Sequence, residues 1–235
     1  MKSEHTKVAE LLAVLVKTRK ADKTILAIGG ESGSGKSEIT ESLREALRTD
    51  GYRIKILHLD NYYKVPPHHR NDHRRKHGMP AVGLHEIDWE RLDYNIEAFY
   101  NGSQTIIPFI DLYTEQEDQL ITNFREIDVL LVEGLYSCHY PADIGVFIDL
   151  TYHETMNAQI VRRKEKVNDF RFSVLEKEHQ EVLNTRSGAD YFVTSDFTLV
   201  KGPQNYSERL HSNEAPFINT LSQNEHKTDR INHYH

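Results

Sequence analysis

The sequence feature that most constrains the fold is a glycine-rich segment, Gly30–Ser37, which reads Gly-Glu-Ser-Gly-Ser-Gly-Lys-Ser. It fits the pattern G-x-x-x-x-G-K-[ST] at every fixed position. The apolar run Thr24–Ile28 before it is typical of a buried strand, and apolar residues follow it at helical spacing, namely Ile39, Leu43 and Leu47. A strand, a glycine loop and a helix in this order predict a phosphate-binding loop of a parallel α/β fold.

Each residue type in this loop suits the binding of a triphosphate. Glycines allow successive backbone N–H groups to point at phosphate oxygens, and the start of the following helix adds partial positive charge. We expect Lys36 to neutralise the β- and γ-phosphates and the Ser37 hydroxyl to ligate Mg²⁺. The sequence therefore predicts that ATP and Mg²⁺ are cofactors and that the nucleotide is bound by Gly30, Glu31, Ser32, Gly33, Ser34, Gly35, Lys36 and Ser37.

The composition excludes several other classes of protein. The 38% of apolar residues can form a sizeable core, and a net charge of −7 is not that of a general nucleic-acid binder. No apolar stretch approaches the roughly 18 residues of a membrane span. The single cysteine, Cys138, excludes an internal disulfide. We expect a cytoplasmic protein with neither nucleic acid nor membrane as a partner.

Apolar runs that alternate with helical patterns predict a parallel sheet with helices on both faces. We expect one kinase-sized domain over residues 1–201, with an amphipathic helix over 3–20 packed on it, and a polar C-terminal tail over 202–235. Further strands are predicted within 53–59, 106–110, 120–124, 128–132, 145–150 and 191–200, and further helices over 89–99, 153–166 and 173–184.

Asp60 follows the second predicted strand, at the sheet edge where ligands bind in open parallel sheets. A carboxylate opposite a phosphate-binding loop can accept the proton of a substrate hydroxyl during phosphoryl transfer. The chain has no N-K-x-D run with which a GTPase would recognise guanine. The alternative for Asp60 is a helix cap or turn residue.

Five motifs together resemble the uridine kinase and phosphoribulokinase superfamily of P-loop NTPases. They are Gly30–Ser37, Leu59–Tyr63 (Leu-Asp-Asn-Tyr-Tyr), Ile87–Trp89 (Ile-Asp-Trp), Pro108–Asp111 (Pro-Phe-Ile-Asp) and Val132–Gly134 (Val-Glu-Gly). The resemblance implies a sheet of the nucleoside-monophosphate-kinase type, with a hairpin that carries acceptor-site residues and a lid that carries arginines.

The resemblance also implies roles for individual residues. Asp60 would be the catalytic base, assisted in catalysis by Lys36, and Glu133 would hold Mg²⁺ together with Ser37. The acceptor would be bound by Tyr62, Tyr63, Asp88 and Asp111, and the lid would use Arg162, Arg163 and Arg171. A solvated charged helix is the alternative for the lid arginines.

At two positions the chain departs from the uridine kinase pattern. Uridine kinases usually carry an aromatic residue and a histidine where this sequence has Ile110 and Glu115. Both family residues help to hold the pyrimidine, so the departures weaken a pyrimidine pocket.

The segment Lys64–His85 is rich in Lys, Arg and His, and Asp72 is its one acidic residue. It lacks apolar periodicity and is therefore predicted to be a long loop or lid. A basic segment beside the expected base of an acidic chain favours an anionic acceptor, which we expect Arg74 and Arg75 to bind. The alternative is a solvated charged loop.

These observations predict an ATP-dependent kinase that transfers the γ-phosphoryl group to a hydroxyl of a nucleoside, as a uridine kinase does. Two alternatives stay open: a kinase of an anionic sugar or sugar phosphate, and a non-catalytic switch that responds to ATP. The expected partner is a small-molecule acceptor, and a homo-oligomer is compatible with the sequence.

Overall fold

The computed structural model describes residues 3–111, 113–114, 116–154 and 169–202. Several expected features lie outside these residues, namely Arg162, Arg163, Glu115 and nearly all of the predicted tail. The described helices are α1 (Glu4–Arg19), α2 (Lys36–Thr49), α3 (Pro67–His77), α4 (Trp89–Tyr100) and α5 (Asp169–Asn184). The described strands are β1 (Thr24–Gly30), β2 (Ile54–His58), β3 (Gln104–Asp111), β4 (Gln116–Asn123), β5 (Val129–Glu133), β6 (Ile144–Ile148), β7 (Tyr191–Val193) and β8 (Leu199–Lys201).

The central sheet has the strand order β2-β5-β1-β6-β7-β8 within the described residues. All its pairings are parallel except that of β7 with β8. Every residue of β1, β5 and β6 is buried, as expected for parallel strands that are covered on both faces. The predicted α/β class with a mostly parallel sheet is thus confirmed.

Alternate residues of β1 face two separate apolar cores. Leu26 and Ile28 contribute to a core with the apolar sides of α1 and α2. Ile25 contributes to a core on the other face, where α4 and the end of α5 pack. This two-sided packing fixes the three central strands, whose carboxyl ends carry the site residues described below.

Strands β3 and β4 form a separate antiparallel hairpin in which Gln104 pairs with Asn123 and Asp111 with Gln116. The hairpin is anchored on α4, because the buried Asn95 amide donates to the Thr105 hydroxyl at 3.0 Å. β3 extends beyond the predicted run 106–110 at both ends, and β4 begins four residues before the predicted run 120–124 and ends one residue earlier.

The prediction of a loop over Lys64–His85 was wrong, because this segment contains α3. Pro67 occupies the first turn of the helix, where proline is well tolerated, and no proline or glycine interrupts the following residues. The one buried side chain of α3 is Arg74. Apart from Pro67, α3 contains no apolar residue, so hydrophobic periodicity could not reveal it.

Two further elements differ from the predictions in detail. The last strand, predicted within 191–200, is two short antiparallel strands, β7 and β8. The final helix is described from Asp169 onwards and is thus already helical ahead of the expected start at Ser173. Among the described residues, no helix is long and apolar enough to cross a membrane.

Candidate active site

The candidate site lies where three neighbouring parallel strands end. Glu133, the last residue of β5, is in register with Ile28 of β1 and with His58 of β2. The glycine-rich loop follows β1, and Asp60 follows β2 by two residues. Since the carboxyl ends of parallel strands meet at one sheet edge, the topology brings the loop, Asp60 and Glu133 together.

These residues line one cleft with a volume of about 640 Å³, within the range of small-molecule sites. Its lining includes residues of the glycine-rich loop with Lys36, together with Asp60, Tyr63 and residues of α3. Arg171, at the start of α5, also lines the cleft. The cleft can therefore hold a triphosphate and a second molecule next to Asp60.

The loop has the backbone conformation that glycine permits. Gly35 caps α2 with φ 92°, and a Cβ atom at this position would lie 2.7 Å from Nε2 of His5. Lys36 Nζ donates to the Glu31 carbonyl at 2.7 Å, within the loop itself. Burial lowers the pKa of Lys36, opposed by the charges of Glu133 and Asp60. A bound triphosphate would add negative charge and favour the charged ammonium.

A hydroxyl and a carboxylate lie together beside Lys36. Ser37 Oγ donates to Glu133 Oε2 at 3.2 Å, and His58 Nδ1 lies 2.9 Å from Glu133 Oε1. Burial opposes ionisation of Glu133, but the hydrogen bond from His58 and the charge of Lys36 outweigh it and lower the pKa of the carboxyl. A hydroxyl and an ionised carboxylate are oxygen ligands that fit Mg²⁺, which Ser37 and Glu133 would hold.

The carboxylate of Glu31 contacts other parts of the protein. Oε2 accepts from the Tyr152 backbone N–H at 2.8 Å, and Oε1 lies 2.6 Å from Nδ1 of His179. The side chain thereby joins the glycine-rich loop to α5 and to the chain at Tyr152. Its carboxylate faces these partners, which leaves the backbone of Glu31 for a nucleotide.

The two tyrosines after Asp60 have different positions. Tyr63 lines the cleft, whereas Tyr62 is buried beneath it and donates its hydroxyl to Asn95 Oδ1 at 2.8 Å. Burial raises the pKa of both phenols, so both remain protonated at neutral pH. Only Tyr63 is placed to touch an acceptor.

Asp88 and Asp111 do not line the cleft. Asp88 caps α4, where its carboxylate accepts from the Arg91 backbone N–H at 3.1 Å. Asp111 lies at the hairpin turn and accepts from the backbone N–H groups of Tyr113 and Thr114 at 2.8 and 3.2 Å. These hydrogen bonds lower the pKa of Asp111. Both carboxylates thus have local structural partners, and their expected role in acceptor binding stays a prediction.

Arg74 belongs to a buried cluster of charges. Its Nε and Nη2 atoms donate to the two carboxylate oxygens of Glu86, and Nη1 donates to Glu178, all at 2.8 Å. Burial alone would lower the pKa of Arg74, but these two carboxylates raise it. Arg75 is exposed and lies outside the cleft lining. Arg74 lines the cleft but is neutralised by its partners, so the acceptor-binding role expected of Arg74 and Arg75 stays a prediction.

Replacing Arg74 by methionine should therefore destabilise the fold. The change leaves Glu86 and Glu178 buried without their counter-charge, which costs about 3–5 kcal/mol of unfolding free energy. Denaturant titration measures the loss. Arg48→Met, on an exposed side chain of α2, is the control and should stay within about 0.5 kcal/mol. Equal stability of the two variants would contradict the role assigned to the cluster.

Several residues that line the cleft were not expected from the sequence. On α3 they are Pro67, Arg70 and Asn71, which are spaced i, i+3, i+4, i+7 with the expected residue Arg74, itself part of the lining. This spacing places them on one face of a helix. The signal was present in the sequence, but it becomes visible only when the segment is recognised as helical.

The comparisons with known proteins identify the family of the chain. The model of the phosphoribulokinase / uridine kinase family matches residues 25–169, which confirms the resemblance seen in the motifs. The uridine kinase of Macrococcus caseolyticus is 26% identical over 183 residues, covering 72% of this chain and 87% of that protein. The uridine kinase of Staphylococcus aureus is 27% identical over 131 residues, 54% of this chain and 61% of that protein.

A solved structure with the same fold is D-glycerate 3-kinase from Cryptococcus neoformans. It aligns with a TM-score of 0.53 at 12% identity, covering 85% of this chain and 98% of that chain. At this identity the likeness concerns the fold alone. Since the family model matches more than half of the sequence, the chain belongs to the phosphoribulokinase/uridine kinase family.

Proposed function

We propose that the protein transfers the γ-phosphoryl group of ATP to a hydroxyl group of a small molecule. The observation that carries this proposal is the single cleft that combines Lys36, the pair Ser37 and Glu133, and Asp60. A nucleotide-binding switch would have no need of a carboxylate facing the loop. Phosphoryl transfer requires positioning and charge neutralisation, and these residues supply both.

In the proposed reaction, the acceptor oxygen attacks the γ-phosphorus while the bond from that phosphorus to the bridging oxygen of ADP breaks. Asp60 takes the hydroxyl proton, and ADP leaves. Lys36 neutralises charge on the β- and γ-phosphates. Mg²⁺, when bound at Ser37 and Glu133, would neutralise further phosphate charge. His58 would orient Glu133 through the hydrogen bond described above.

The proposal gives the lid arginines an electrostatic role. Arg171 lines the cleft, and we expect it to face the transferred group. We extend this role to Arg162 and Arg163 on the basis of the family resemblance. Positive side chains close to the phosphoryl group would stabilise the charge that develops on it in the transition state.

Two acceptor classes fit this chemistry. A nucleoside is favoured by the names of the curated relatives, which are uridine kinases. An anionic sugar is favoured by the basic side chains of α3 next to Asp60. Both would present a hydroxyl to the same base.

The experiment that tests the proposed function is the rate of ADP formation with and without acceptors. Nucleosides, sugars, sugar acids and sugar phosphates are added in turn at saturating ATP and Mg²⁺. We expect at least one compound to raise the rate above the rate in water alone. If no compound raises the rate and the protein captures a protein partner in an ATP-dependent way, a non-catalytic switch is favoured instead.

A further inference from the structure

Arg70 lies in the cleft in a fixed position. Its guanidinium Cζ lies 3.4 Å from the centroid of the Tyr63 ring, and its Nε donates to the Val65 carbonyl at 3.3 Å. Tyr63 is itself buried, and its backbone bridges to Ile87. A guanidinium stacked on a buried aromatic ring loses little further freedom when it binds a ligand.

The charge of Arg70 is not balanced by a nearby carboxylate. Among the described residues no acidic group lies within ion-pair distance of it, in contrast to Arg74, which Glu86 and Glu178 neutralise. Its Nη2 atom is also buried without a hydrogen-bond partner in the described part of the chain. An unsatisfied guanidinium nitrogen is costly, and an anionic ligand group is the partner that its geometry suits.

The position of Arg70 indicates which ligand would supply that group. Arg70 lines the cleft with Asp60, Tyr63 and Asn71, and the triphosphate is proposed to lie on the glycine-rich loop. A molecule with its hydroxyl at Asp60 would have its remaining groups beside α3. The amide of Asn71 can hydrogen-bond further hydroxyls, and the guanidinium can hold a charge.

We infer that Arg70, held on Tyr63, is the specificity-determining residue for the acceptor and that the acceptor is a small hydroxylated anion, with a carboxylate or a phosphate as the group that Arg70 binds. The inference rests on the proposed kinase activity and decides between its two acceptor classes. A nucleoside has no charge with which to satisfy this guanidinium.

The test compares neutral acceptors with their charged counterparts in the wild-type protein and in Arg70→Gln. ADP formation is measured with uridine, ribose and glycerol, with ribonate and glycerate as carboxylates, and with ribose 5-phosphate and glycerol 3-phosphate as phosphates. The control is Arg48→Gln, which removes the same charge about 18 Å along α2 from Lys36. Thermal unfolding verifies that each variant folds.

We expect turnover only with anionic acceptors, and the carboxylate and phosphate arms then identify the group that is bound. Arg70→Gln should raise KM for that acceptor by about 10- to 100-fold, the effect of losing charge-assisted hydrogen bonds, and change KM for ATP less than about twofold. Arg70→Lys keeps the charge but loses the planar fork, so its KM for the acceptor should lie between those of the wild type and Arg70→Gln. Arg48→Gln should alter neither constant.

Two results would overturn the inference and leave the kinase proposal intact. One is efficient phosphorylation of uridine or another neutral acceptor with a KM that Arg70→Gln does not change. The other is a rise in KM for ATP in place of KM for the acceptor, which would assign Arg70 to the nucleotide. If no acceptor raises ADP formation in the wild type, the proposed function fails and the inference falls with it.

Discussion

Replacing Asp60 by asparagine is expected to lower kcat by about 10²–10⁴, the usual contribution of a general base. The substitution keeps the size of the side chain but removes its ability to accept the acceptor proton. Asp60 is exposed to the cleft beside the glycine-rich loop and is not committed to a helix cap. We expect the affinity for ATP to change less than about threefold, because the nucleotide is held by the loop. Initial rates at saturating substrates and ATP binding by calorimetry measure the two effects.

The control for this variant is Asp22→Asn, which removes an exposed carboxylate in the turn between α1 and β1. It lies at the opposite end of the sheet from the cleft and should keep the wild-type kcat. An Asp60→Asn protein that turns over at the wild-type rate would disprove the assignment of the base.

Replacing Lys36 by alanine is the second change with a large expected effect. It removes the ammonium group expected on the β- and γ-phosphates, where charge changes during transfer. We expect kcat to fall by about 10²–10³, the scale of losing one preorganised charged donor, and KM for ATP to rise as well. This joint effect distinguishes Lys36→Ala from Asp60→Asn, in which ATP binding is retained.

Lys17→Ala is the matched control for Lys36→Ala. Lys17 is a partly exposed lysine of α1 that pairs with Asp50, away from the cleft. An exposed ion pair contributes about 0–1 kcal/mol to stability, so this variant should keep wild-type kinetics. Wild-type values of kcat and KM for ATP in Lys36→Ala would contradict the binding mode proposed for the triphosphate.

The parts of the fold with strong hydrophobic patterns were predictable from the sequence. Strands β1 and β5 are continuous apolar runs that end at Gly30 and Glu133. Because parallel strands end at the same edge, their carboxyl ends could be expected to share a site with Asp60. The structure does bring Glu133, Asp60 and residues of the glycine-rich loop into one cleft.

The acceptor side was less predictable because its residues come from irregular segments and from a helix without an apolar face. Arg74 was expected to be free for a ligand, but its partner Glu178 lies on α5, more than 100 residues along the chain. No local sequence pattern predicts a contact between residues so far apart in the chain. Asp88 is different, because its place directly before the apolar helix α4 is a visible N-cap signal that competes with the motif.

The central claim is that the γ-phosphoryl group of ATP passes to an acceptor hydroxyl, and its most direct test follows that group itself. ATP labelled with ¹⁸O in the γ-phosphoryl group is incubated with the protein and with each acceptor, and the products are analysed by mass spectrometry. The account predicts a phosphorylated acceptor that carries the labelled group in amounts equal to the ADP formed. If inorganic phosphate is the sole labelled product with every acceptor, transfer to an acceptor hydroxyl is contradicted.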